Sequence, residues 1–258
     1  MKQLFILLFL FAQLGYTQEY TFVEKNELLA DSFIGVDNYK NTYFIKDMTL
    51  HKQGNDGDFV YANFQLGQPT IIDIINPLKV MVFYESLNIV VFLDNKLAEI
   101  ERINFNELQE FVNVSHAKNA GNNRLWIFNI DTQQIELYNY RNNSKVTVSQ
   151  PFPGTLNAIT SNFNYCYTLT DLKLRAFNIY GSILFEKPSE GVEIIIQLDD
   201  VLFLIKDKTL VSVPKSDEEV KTYKLPEITI KDLHLTQDFM YIYDGTNLHT
   251  YTLTQPKK

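Results

Sequence analysis

Apolar residues come in short bursts along this chain. Runs of four to eight β-branched and aromatic residues alternate with turn-forming groups such as Asn55-Asp56-Gly57, Asp94-Asn95, Tyr180-Gly181, Asp199-Asp200, Asp207-Lys208 and Asp244-Gly245. Such residues tolerate a positive φ and let two strands reverse in a hairpin. No segment after residue 17 sustains a helical apolar period with caps at both ends, so the pattern predicts antiparallel strands throughout.

The bursts group into units: a short strand, a strongly apolar strand, an alternating strand and a polar fourth strand. The apolar second strands are predicted at 42–46, 78–84, 124–130, 164–170, 200–206 and 238–244. Third strands follow closely as MTLHK, NIVVFLD, QIELYNY, KLRAFNI, KTLVSVP and NLHTYTL. Six units of four strands, repeating at roughly forty residues, predict an all-β, six-bladed β-propeller. The blades are placed at about 32–66, 70–105, 110–149, 155–187, 192–225 and 229–254. The sixth unit lacks a fourth strand, while a spare strand, EYTFVE at 19–24, precedes the first. Pairing the two completes the last blade and closes the ring, which removes exposed sheet edges.

Aligning FIGVD, IIDII, FVNVS, LNAIT, VEIII and IKDLH puts Gly35, Asp73, Asn113, Asn157, Glu193 and Asp232 at one expected position, at intervals of 38, 40, 44, 36 and 39 residues. The innermost strand of each blade borders the central channel, and alternate side chains face that channel. Asp73, Asn113, Asn157, Glu193 and Asp232 are therefore the candidate binding residues: a channel ring of three carboxylates and two amides that could hold a cation or a basic peptide. The alternative is that they simply face water.

This organisation resembles the WD40-like and YVTN-like propellers, and among them the plain exported propellers of Bacteroidota, over about 19–254. The Trp-Asp dipeptide of WD40 repeats is absent, Trp126 being followed by Ile127, and no YVTN tetrapeptide occurs. The resemblance implies a rigid platform that binds other proteins. It extends to accessory subunits that cap or plug a large outer-membrane barrel, as in the type 9 secretion apparatus.

Residues 1–17 read as a secretory signal: Lys2, an apolar run from Leu4 to Leu14, and small residues at Gly15 and Thr17, with cleavage expected before Gln18. No cysteine follows that point as a lipid acceptor, so a periplasmic protein without a lipid anchor or membrane insertion is expected. The tail after Leu253 is too short for a separate C-terminal sorting domain, which favours the periplasm over the cell surface. The mature chain of 241 residues carries 22 basic and 31 acidic groups, which argues against nucleic acid or anionic lipid as a partner. The single cysteine, Cys166, lies in an apolar run and reads as a small core residue.

Other chemistry is sparse. His51, His116, His234 and His249 show no helical metal spacing, although His234 and His249 fall in the same blade. The sequence holds no G-x-S-x-G, P-loop or dinucleotide fingerprint. Asn55-Asp56-Gly57-Asp58 has the oxygen-rich start of a calcium loop without its distal acidic ligand, and a hairpin turn is the expectation. The acceptor patterns at Asn113 and Asn142 read as accidental in a bacterial protein. The dense apolar hairpin at 78–93 either packs between blades or leaves a docking surface exposed. These readings predict a non-enzymatic docking module with no cofactor and no metal, monomeric outside its complex, whose partner is a protein such as an outer-membrane barrel or secretion complex. The alternatives are a hydrolase or lyase at the channel mouth, and a cation- or ligand-binding propeller.

Overall fold

The computed structural model describes residues 20–213 and 220–253. The expected leader, Glu19 of the closing strand, Pro214 of the fifth blade's third strand and everything after Leu253 lie outside the described residues.

The chain enters through β1 (Tyr20–Glu27). The first blade is β2 (Ser32–Val36), β3 (Thr42–Lys46), β4 (Thr49–Gly54) and β5 (Gly57–Tyr61). The second is β6 (Ile71–Asp73), β7 (Val80–Tyr84), β8 (Ile89–Leu93) and β9 (Glu99–Asn104). The third is β10 (Val114–Gly121), β11 (Arg124–Asn129), β12 (Gln134–Asn139) and β13 (Ser144–Thr147). The fourth is β14 (Leu156–Ser161), β15 (Tyr165–Thr170), β16 (Lys173–Asn178) and β17 (Ile183–Pro188). The fifth is β18 (Ile194–Leu198), β19 (Val201–Lys206), β20 (Thr209–Val213) and β21 (Thr222–Lys224). The sixth is β22 (Asp232–Leu235), β23 (Phe239–Tyr243) and β24 (Asn247–Leu253), completed by β1.

All six sheets are four-stranded antiparallel meanders. Closure is made as the sequence predicts, with β1 laid along β24 in a register from Tyr20–Leu253 to Glu27–Asn247. The closing strand runs on to Glu27 and carries a bulge between Phe22 and Glu24.

Six apolar clusters, one at each interface between neighbouring blades, hold the ring together among the described residues. The 78–93 hairpin shows why its sequence is so dense. Every residue of β7 is buried. Val80, Val82 and Tyr84 pack toward the first blade, with Tyr43 and Leu50, while Met81 and Phe83 pack toward the third, with Ala117 and Ile127. A strand covered on both faces needs apolar side chains at every position. The two strands of the hairpin are thus core, and of its apolar residues Leu78 and Leu87, near its turns, are exposed. Asn55-Asp56-Gly57 is the β4–β5 hairpin turn, where Gly54 pairs with Gly57.

Meander topology sorts the connections into two ends. Turns from first to second and from third to fourth strands gather at one end. Turns from second to third strands and the linkers between blades gather at the other, here termed the linker end.

Candidate functional site

The inner strands β2, β6, β10, β14, β18 and β22 surround a central cavity of about 690 Å³. It opens at the end opposite the linkers, since its rim is built from the first-to-second turns at Asp37-Asn38, Asn162-Phe163-Asn164 and Asp199-Asp200. Its wall is mainly aliphatic, with Ile34, Val36, Ile72, Ile159, Ile195 and Leu233 among its members, interrupted by Asp73, Lys118, Gln197 and His234. A mostly apolar concavity with a few polar groups is the usual form of a binding site.

The expected ring of channel residues does not lie at one level. Of the five candidates, only Asp73 lines this cavity. Asn113 and Glu193 precede the first residues of their inner strands, Asn157 is the second residue of β14, and Asp232 is the first of β22. Asn157 and Glu193 are exposed, and Asn113 and Asp232 are half-buried. The side chain of Asn113 donates to Asp131 at 3.3 Å, toward the linker end. Bulges interrupt β2 between Phe33 and Gly35, β10 between Val114 and His116, and β14 between Leu156 and Ala158, the last at Asn157 itself. An extra residue in a strand shifts the facing pattern of those after it.

Two of the carboxylates tie blades together. Asp73 Oδ2 accepts from the Asn119 N–H of the third blade at 2.9 Å, and its Oδ1 accepts from the Ile75 N–H at 3.0 Å. Asp232 Oδ2 accepts from the Phe33 N–H of the first blade at 2.9 Å. Burial pushes the Asp232 carboxyl above its usual range, opposed by that N–H and by Lys231. At the rim, Asp37 accepts from the Tyr39 and Asn41 N–H groups, the Asn41 amide and the Tyr43 hydroxyl, which leaves it a structural anchor. Sequence reasoning missed Lys118. It lines the cavity, and among the described residues its ammonium makes no hydrogen bond or ion pair. A lysine one residue after Ala117, in the middle of an inner strand, was the available signal.

The histidines stand apart. His51 stacks on Phe44 at 4.9 Å, and burial lowers its pKa. His116 and His234 on inner strands are both held neutral, with pKa lowered to about 4, first by burial; Lys118 adds to the effect at each, and the Val36 carbonyl opposes it at His234. His234 Nε2 donates to Val36 O at 3.0 Å. His249 instead reaches Asp244 Oδ2 at 2.7 Å and is separated from His234 by β23. Burial alone would raise the Asp244 carboxyl, but hydrogen bonds from His249, Asn247 and Thr246 hold it well below its normal range. Among the described residues no three His, Cys, Asp or Glu side chains converge as a metal site would require. Cys166 is fully buried, and burial raises its thiol pKa, so it packs as a small core residue.

The sequence matches no protein-family profile and no curated protein. Solved structures show the fold. A catalytically inactive virginiamycin B lyase from Staphylococcus aureus with quinupristin is similar at a TM-score of 0.62 and 13% identity, over 92% of this chain and all of that one. BamB from Moraxella catarrhalis is similar at 0.50 and 10% identity, over 91% of this chain and all of that one. PorZ, an essential surface component of the type IX secretion system of Porphyromonas gingivalis, is similar at 0.52 and 12% identity, over 89% of this chain and 38% of that one. The chain is a β-propeller with the architecture of the WD40-like and YVTN-like propellers.

Proposed function

We propose that this protein is a non-enzymatic docking module of the bacterial periplasm, which binds a protein partner in an outer-membrane assembly or secretion complex. The observation that carries this reading is the set of large apolar side chains left exposed on loops of a rigid closed ring. Tyr180 is 85% exposed, Phe64 76%, Tyr39 60% and Phe111 55%. Exposed aromatic loop residues on a stiff scaffold are what an interface uses as anchors. The likeness to PorZ and BamB adds support from fold alone. The carboxylates at hand are poor catalysts here: Asp73 and Asp232 each accept backbone N–H donors, which engages them in structure.

Covalent cross-linking in intact cells, followed by mass spectrometry of tagged protein, tests the proposal. A reproducible set of cross-links between ring loops and one envelope protein supports it. Cross-links only within the chain argue against it.

A second reading is a lyase or hydrolase acting at the cavity mouth, favoured by the likeness in fold to virginiamycin B lyase and streptogramin B lyase. It requires turnover that is lost on changing Asp73, Glu193 or Asp232 to the amide while the fold is kept.

A further inference from the structure

The two ends of the ring differ in charge. At the linker end each of the six second-to-third turns carries one acidic residue: Asp47, Glu85, Asp131, Asp171, Asp207 and Asp244. The six linkers between blades add six more acids, and the same turns and linkers hold only two bases, Lys208 and Lys231. Among the described turns of the opposite end, six acids are set against five bases. Among the described turns and linkers the net negative charge is therefore concentrated on one side of the ring.

The same end also exposes apolar side chains. Leu29, Phe64 and Phe111 project from linkers, and Met48, Leu87 and Leu172 from the turns. Neither feature decides the matter alone. Several of the acids have local structural work, since Asp171 accepts from the Thr155 N–H and Asp244 holds the turn at Asn247. Glu85, Glu110 and Glu190 are different. They are exposed, and no hydrogen bond or ion pair to their carboxylates is found among the described residues. Local turn chemistry therefore does not account for them. A surface that combines exposed apolar groups with one sign of charge discriminates among partners through complementarity.

We infer that the linker end is the docking face and that its occupant is a basic amphipathic segment of a partner protein, with lysine or arginine meeting the acidic turns and apolar side chains meeting Phe64, Phe111 and their neighbours. This rests on the docking reading and names the face and the chemistry. An acidic partner or an anionic lipid surface is repelled there, and steering by the acidic field makes association salt-sensitive.

The probe is a synthetic helix-forming peptide with one leucine face and one lysine face, compared with the same peptide carrying glutamate for lysine, with purified protein and fluorescence anisotropy as the readout. The lysine peptide is expected to bind, to lose about tenfold in affinity between about 50 and about 300 mM salt, and the glutamate peptide to fail. Combining Glu85→Gln, Glu110→Gln and Glu190→Gln weakens binding about tenfold and flattens the salt dependence, and Phe64→Ser with Phe111→Ser weakens it comparably. Asp56→Asn and Asp238→Asn at the opposite end change it less than about twofold. Because all these sites are exposed, the variants keep the fold, which thermal melting verifies. Equal binding of the two peptides, no binding of either, or equal effects from the two ends overturns the inference. A cellular partner whose binding is lost only with the opposite-end variants also overturns it while leaving the docking reading intact.

Discussion

The imidazole of His234 lies so close to Gly35 that a β-carbon on that glycine would stand 2.5 Å from Nδ1. Gly35 has φ +154° and sits on the inner strand of the first blade, whereas His234 sits on that of the last. The contact therefore belongs to the seam at which the ring closes. Gly35→Ala is expected to lose about 2–4 kcal/mol, from the clash and the strained backbone together. In a domain of this size that lowers the melting temperature by roughly 4–16 °C. Adding His234→Ala relieves the clash and leaves the backbone strain, so the double variant is less unstable than the sum of the singles. Additive losses would show that the two residues do not interact.

The neutral histidines give the fold a pH dependence. His116 and His234 titrate near 4 when folded, below the value of about 6.5 expected when unfolded. Between those values the unfolded chain binds more protons than the folded one, so stability is full above about pH 6.5 and falls as the solution is acidified toward pH 4. Thermal melts across that window are expected to show this slope, and His234→Gln, whose amide can still donate to Val36 O, is expected to reduce it. An unchanged slope in that variant would assign the effect to other groups.

Closure by β1 makes the start of the described chain essential. Deleting residues 20–27 exposes the whole edge of β24, an unpaired strand edge that invites intermolecular pairing. The truncated chain is expected to aggregate on size-exclusion chromatography. Recovery of a stable monomer would show that the seam holds without its fourth strand.

Asp73 is predicted to act as a structural tie. Asp73→Ala strands the buried Asn119 N–H and the Ile75 N–H, at a cost of about 2–4 kcal/mol, whereas Asp73→Asn retains one acceptor and loses about half as much. Urea denaturation of the two variants reads the difference. Equal stability of the alanine variant and wild type would remove Asp73 from the framework.

The blade count and the closing strand were legible in the sequence because they depend on a forty-residue period and on two irregularities at opposite ends of the chain. The second strands were placed within two residues at either end. Which inner-strand side chains face the cavity was not legible. The bulges at Phe33/Gly35, Val114/His116 and Leu156/Ala158 alter register in three of six inner strands, and a one-residue slip moves a side chain to the other face. Lys118, beyond the bulge in β10, escaped notice, and Asn113 and Glu193 lie one residue before their strands begin. The nature of the 78–93 hairpin was also open until both of its faces were seen to be covered by neighbouring blades. The charge contrast between ends was hidden because it emerges only when turns far apart in sequence are sorted by topology.

The most direct test of the docking account is the native size of the protein after gentle detergent extraction of cell envelopes. The account predicts migration well above the size of a 30.0 kDa chain, together with an outer-membrane component, in an assembly that dissociates when the exposed loop aromatics are replaced. Migration as a free monomer under every gentle condition, with no envelope protein associated, would contradict it.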